Sequence, residues 1–169
     1  MKTIDALLSA SCQAHKEKIA FREKIHGNWV QTNYASLWQQ SSRIAAGLQQ
    51  QDFKAGDHAA LLAPSSPRWV MAYLGILLAG GVVVPVDKDL KAGELKHLLG
   101  DCEASLVFTT PGYLDVLLEI KSDLPKLERI VLIEQRQNEF SNNRESAVAI
   151  GELVSEWHRL RKEFKLPEE

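Results

Sequence analysis

At 169 residues the chain has the length of one ordinary domain. Hydrophobic residues make up 45% and charged residues 25%, a globular balance that argues against disorder over most of the chain and allows a substantial core. The net charge of −2 excludes a broadly basic surface, and with it the usual electrostatic footprint for nucleic acid or an anionic membrane. Met1 to Ala10 carries no secretory pattern, with Lys2 followed by Asp5 and a short apolar stretch. The longest apolar run, Trp69 to Pro85, is broken by Gly75, Gly80 and Gly81, so it reads as helix, turn and strand rather than a membrane span. Cys12 and Cys102 lie far apart and give no disulfide framework. The expected location is cytoplasmic.

Ile4, Leu7, Leu8 and Cys12 predict a first amphipathic helix over residues 4–15. Ile19 to Arg22 and Trp29 to Thr32 predict a β-hairpin, with His26-Gly27-Asn28 as its turn. A helix follows from about Asn33 to Gln51, capped by Thr32 or Asn33. Tyr34, Leu37, Trp38, Ser41, Ile44, Ala45 and Leu48 form its buried stripe, opposite Gln39, Gln40, Arg43, Gln49 and Gln50.

Strands and helices then alternate. Asp57 to Ala63 predicts a buried strand, and Pro67 to Ala79 a helix with Ser66 as cap and Pro67 at its first position. That helix is apolar almost all round and is expected to be packed on several sides. Val82 to Val86 predicts a second buried strand, and Ala92 to Leu99 a helix ended by Gly100, with Asp89 its candidate cap. Leu106 to Thr109, Tyr113 to Lys121 and Arg129 to Glu134 predict strand, helix and strand. The polar stretch 135–148 predicts a flexible loop. Ile150, Leu153, Val154, Trp157 and Leu160 predict a last amphipathic helix. The whole predicts one α/β domain over residues 1–169: a parallel sheet with right-handed crossovers, helices on both faces, and a short N-terminal β-hairpin.

The chemistry-bearing motifs are mostly absent. The sequence has no Gly-x-Gly-x-x-Gly, no Walker loop, no His-Glu-x-x-His, no Cys-x-x-Cys and no Gly-x-Ser-x-Gly. His15, His26, His58, His97 and His158 are scattered without ligand spacing. Ser65 and Ser66, between Pro64 and Pro67, are candidates for an anion contact at a helix start, though Ser66 serves first as a cap. Asp87 and Asp89 follow a strand end and are candidate Mg²⁺ carboxylates, a weak pair without further ligands. Trp69 and Tyr73, one helical turn apart, read as core before they read as a pocket wall. Trp157 and Leu160 are candidate partner anchors on a helix that first of all covers the sheet.

Two segments carry a resemblance. Leu77 to Asp87, Leu-Leu-Ala-Gly-Gly-Val-Val-Val-Pro-Val-Asp, is similar to the Lys-Ala-Gly-x-x-x-x-Pro-x-Asp motif of the adenylate-forming (AMP-binding) superfamily, with Leu78 in place of Lys. Thr32 to Trp38 resembles that family's Thr-Tyr-x-Glu-Leu motif, with Asn33 inserted before Tyr34 and Ser36 where Glu is common. Ser66-Pro67-Arg68-Trp69 is similar to the Asn-Ser-Pro-Glu-Trp segment of long-chain fatty acyl-CoA synthetases, with Ser65 for Asn and Arg68 for Glu. Glu94, Leu95 and the strand within Ala104 to Phe108 also follow the pattern, so the resemblance runs through about residues 4–169.

The resemblance implies the N-terminal subdomain of an acid–CoA ligase. Such an enzyme activates a carboxylic acid, here expected to be a fatty acid, with ATP and Mg²⁺ to an acyl-adenylate and passes the acyl group to CoA. The family's glycine-rich ATP loop and its later Asp, Arg and Lys residues have no counterpart in these residues. No catalytic, cofactor-binding or metal residue is therefore assigned, and the chain alone is expected to be inactive. Its expected partners are the remainder of the ligase and, through an exposed subdomain face, a second copy of itself. The alternatives are a stand-alone binding or regulatory module, an amino-acid-activating domain of a peptide synthetase, and an unrelated flavodoxin-like domain. The last would need acidic strand ends or a phosphate loop, which Asp87, Asp89 and the Pro64–Pro67 turn supply poorly.

Overall fold

The computed structural model describes residues 3–133 and 147–149. Helix α1 (Ile4–Ala14) comes first and packs on α2 (Tyr34–Gln50). Only Cys12 of its expected apolar stripe is buried, while Ile4 and Leu7 face solvent. Between the two helices, β1 (Ile19–Ile25) and β2 (Asn28–Asn33) pair antiparallel. Their loop is two residues, His26 and Gly27, with φ of +47° and +85°. Two positive φ values are what a primed hairpin turn requires, because its twist matches that of the strands. Asn28, expected in the turn, instead pairs with Ile25.

Asn33 ends β2 and starts α2, its side chain accepting the Ser36 amide at 2.8 Å. That satisfies one of the helix's orphan donors. Leu37, Ser41, Ile44, Ala45 and Leu48 form the buried stripe as the spacing predicts, with Tyr34 and Trp38 half-buried beside it.

The main sheet has five strands in the order β4-β3-β5-β6-β7, all parallel. These are β3 (His58–Leu62), β4 (Val82–Pro85), β5 (Leu106–Thr109), β6 (Arg129–Leu132) and β7 (Ala147–Ala149). The chain runs outward from β3 through α3 (Pro67–Leu78) to β4. It then reverses past β3 through α4 (Ala92–Asp101) to β5, and continues through α5 (Leu114–Ile120) to β6. With right-handed crossovers, that reversal puts α3 on one face and α4 and α5 on the other. The two cores agree. Ile44, Leu48, Phe53, Ala72 and Ile76 pack with Ala59, Leu61 and Phe108 on one side. Leu95, Leu99, Leu114, Leu117 and Leu127 pack with Ala60, Leu62, Val107 and Ile130 on the other.

Several expectations need correction. The strand predicted over Val82–Val86 is buried only at Val86: among the described residues β4 pairs only with β3, and Val82 is 43% exposed. Hydrophobicity sets strand type, while position in the sheet sets burial. Helix α3 is not packed all round. It buries Ala72, Gly75 and Ile76, while Val70, Leu74 and Leu77 stay half-buried. Gly100 does not end α4, which runs to Asp101. The chain turns out through Cys102 and Glu103, the latter at φ +48°. Nor does Asp89 cap that helix. Its N-cap is Lys91, whose amide is bonded by the Glu94 carboxylate at 3.0 Å. The predicted loop 135–148 falls largely outside the described residues, and its last two positions belong to β7. The expected helix from Ile150 to Leu160 lies outside the described residues altogether.

Candidate functional site

In an open parallel sheet the loops at the carboxyl ends of the strands carry ligands, above all where neighbouring loops leave for opposite faces. Here that divergence falls between β3, whose loop feeds α3, and its neighbours β4 and β5, whose loops feed α4 and α5. The edge therefore consists of residues 63–66 after β3, 86–90 after β4, 110–113 after β5, and Ile133 after β6.

Its polar groups are committed to the fold. Ser66 Oγ accepts the Trp69 amide at 3.1 Å and Pro67 occupies the first turn, so Ser66 is a cap. Ser65 is exposed. Thr109 is fully buried and its hydroxyl donates to the Leu62 carbonyl at 2.9 Å, tying β5 to β3 beside their backbone ladder. Arg68 donates to the Ile133 carbonyl at 3.3 Å, linking the start of α3 to the end of β6. Asp87 accepts the Asp89 amide at 3.0 Å, and Asp89 pairs with Lys88 at 2.9 Å. That pairing holds the Lys88 ammonium above its usual range, chiefly through its hydrogen bond to Asp89. Trp69 and Tyr73 stack at 5.4 Å and 23° against the α2–α3 core, the structural role expected of them.

Among the described residues no three His, Cys, Asp or Glu side chains come together as a metal site. Asp87 and Asp89 are spent on a tight turn and a lysine, so they do not fit an Mg²⁺–ATP site. Burial pushes both thiols, Cys12 and Cys102, up from their ordinary value, away from the reactive thiolate.

A cleft of about 350 Å³ opens at the opposite, amino edge, around Lys54, Asp57, His58, Glu103, Lys126 and Arg129. Several of its groups are held by nearby partners. Asp57 accepts the Lys54 amide at 2.7 Å, His58 Nδ1 donates to the Cys102 carbonyl, and Arg129 pairs with Glu128 at 3.4 Å. The cleft is not legible in the local pattern, because its residues are brought together only by strand order.

The described residues form an α/β scaffold with a capped, hydrogen-bonded carboxyl edge. The chain belongs to the AMP-binding enzyme family, whose model matches residues 8–163. Over 106 residues, 62% of this chain and 5% of the relative, it is 40% identical to the nonribosomal peptide synthetase criC of Aspergillus cristatus. Over 108 residues, 64% of this chain and 19% of the relative, it is 29% identical to a long-chain-fatty-acid–CoA ligase of Bacillus subtilis (strain 168). Over 140 residues, 80% of this chain and 22% of the relative, it is 29% identical to the mitochondrial medium-chain acyl-CoA ligase ACSF2 of Rattus norvegicus. The fold is that of the anthranilate CoA ligase AuaEII, with a TM-score of 0.77 at 20% identity, covering 90% of this chain and 27% of that one. It is equally that of the A-PCP didomain of a carboxylic acid reductase from Segniliparus rugosus, with a TM-score of 0.79 at 16% identity, covering 89% and 26%. The chain thus spans about a quarter or less of each of these proteins. No described helix is long and apolar enough to cross a membrane.

Proposed function

We propose that this chain is the N-terminal subdomain of an acid–CoA ligase acting on a fatty acid. The observation that carries the proposal is the family match over residues 8–163 in a chain that spans only 19% and 22% of two acyl-CoA ligases. In the proposal, the whole protein uses ATP with Mg²⁺ to form an acyl-adenylate and then transfers the acyl group to CoA. Charge stabilisation at the phosphate and orientation of the carboxylate do the catalytic work, from residues outside this chain. The residues described here contribute a rigid edge: the capped turn at Ser66, the Thr109 bond, and the Arg68 strut. The isolated chain has no ligase activity and associates with itself through surface that the remainder of the ligase covers.

A second reading is an amino-acid-activating domain, favoured by the 40% identity to the Aspergillus peptide synthetase. One experiment separates them. Acid-dependent ATP–pyrophosphate exchange is measured on the whole protein with fatty acids and with amino acids, and on this chain alone. Exchange with fatty acids only by the whole protein supports the proposal. Exchange with amino acids moves it to the second reading, and exchange by this chain alone overturns it. A light-scattering mass of one chain at high concentration would remove the self-association.

A further inference from the structure

The hairpin buries none of its residues, and its register sorts its side chains by chemistry. Arg22 faces Gln31 and Lys24 faces Trp29, so both cations and the indole share one face of the two-stranded sheet. Trp29 is 66% exposed, more than any other large apolar residue described. Ile25 and Val30, on the opposite face of the same tip, are also exposed. All three apolar residues stand within about three positions of the turn, hence within about 10 Å of the tip at the usual rise per strand residue. That matches the 5–10 Å depth at which interfacial elements sit between headgroups and acyl chains. Lys24 stands level with Trp29, its long side chain able to reach back to the headgroups, and Arg22 follows two pairs behind it.

Net charge conceals this arrangement. The chain as a whole is at −2, yet residues 16–24 carry Lys16, Lys18, Arg22 and Lys24 against only Glu17 and Glu23. Glu23 opposes Val30, on the face away from Trp29, so it does not neutralise the cationic face directly. His26, in the turn itself, is the one other titratable group at the tip.

We propose that the hairpin tip is a docking element for an anionic lipid surface: Trp29, Ile25 and Val30 enter the interface while Arg22 and Lys24 meet the headgroups. Tryptophan settles at the membrane–water boundary for its amphipathic ring, and each cation near an anionic leaflet adds attraction. Charge complementarity selects this occupant. A protein partner built for Trp29 alone would not need both cations beside it, and a second copy of the hairpin would bring like charges together.

The test is co-sedimentation of the 169-residue chain with vesicles of phosphatidylcholine alone and of phosphatidylcholine mixed with phosphatidylserine. The expected result is binding to the mixed vesicles, weakened by salt and absent from the neutral ones. Removing one cation, by Arg22→Gln or Lys24→Gln, lowers the affinity about fivefold, the equivalent of the roughly 1 kcal/mol that one surface cation supplies. Trp29→Ser lowers it severalfold with the circular dichroism unchanged, and Glu23→Gln raises it. Equal binding to neutral vesicles, or binding indifferent to salt, overturns the proposal even if a variant fails to fold. So does a hairpin variant that abolishes a dimer while leaving vesicle binding intact.

Discussion

The two faces of the central sheet are packed by opposite means. On the α2–α3 side the helices approach closely over small residues, Ala45, Ala72 and Gly75, with Phe53 and Phe108 filling what remains. On the α4–α5 side leucines do nearly all the filling, at 95, 99, 114, 117, 124 and 127. One helical glycine on each side shows the consequence. A Cβ on Gly75 would stand 2.6 Å from Ile44 Cγ2 and 2.7 Å from its Cβ, an atom fixed to the backbone of α2 that no rotamer change removes. A Cβ on Gly100 would meet only Leu124 Cδ2, at an ordinary 3.7 Å. The first face has no spare volume and fails by overpacking. The second depends on bulk and fails by cavity.

The sharpest way to break this contrast is Leu117→Ala. Leu117 is fully buried on the leucine side, and truncation should cost about 2–5 kcal/mol, read as a lowered denaturation midpoint. Gly75→Ala should cost about 1–3 kcal/mol, because overpacking outweighs the roughly 1 kcal/mol that alanine gains in a helix. Combined with Ile44→Ala, which removes Cγ2 but keeps Cβ, the loss should be smaller than the sum of the two single changes. If Gly75→Ala proves stabilising, the close approach of α2 and α3 is not as described. Ser66→Ala, which removes the α3 cap, should cost about 0.5–2 kcal/mol in the same assay. Gly100→Ala should do the reverse and stabilise by about 0.5–1 kcal/mol.

The smallest effect is on pH. Burial raises the Cys12 and Cys102 thiols above their ordinary value of 9.0, so the folded chain holds those protons more tightly than the unfolded one. That contribution is fully present below pH 9 and fades as pH climbs through the raised values. Alkylation at pH 8 should accordingly be slower in the native chain than in denaturant. Equal rates would place the thiols in solvent.

Much of this was legible in local pattern. The stripe on α2, the Ser66–Pro67 helix start and the strand–helix alternation depend on side-chain period and capping chemistry, which adjacent residues set by themselves. The family was legible too, because its two motifs build local units, a helix and a helix–turn–strand. Of the candidate ligands Ser65, Ser66, Asp87 and Asp89, Ser66 is the helix cap its position predicts, while Asp87 closes a turn onto the Asp89 amide and Asp89 does not cap α4. The strand Ala147–Ala149 was missed, since three small residues carry no alternation to detect.

The sequence by itself determined most of the described helices, strands and turns, which rest on local period and capping, and to which family the chain belongs. It could not determine which strand lies at an edge, because Val82 to Pro85 is as apolar as any interior strand and only the order of pairing leaves it open. Nor could it show that Trp29 shares a face with Arg22 and Lys24, or that Gly75 lies against Ile44. Those relations join residues distant along the chain, and they exist only once register and helix packing are fixed in space.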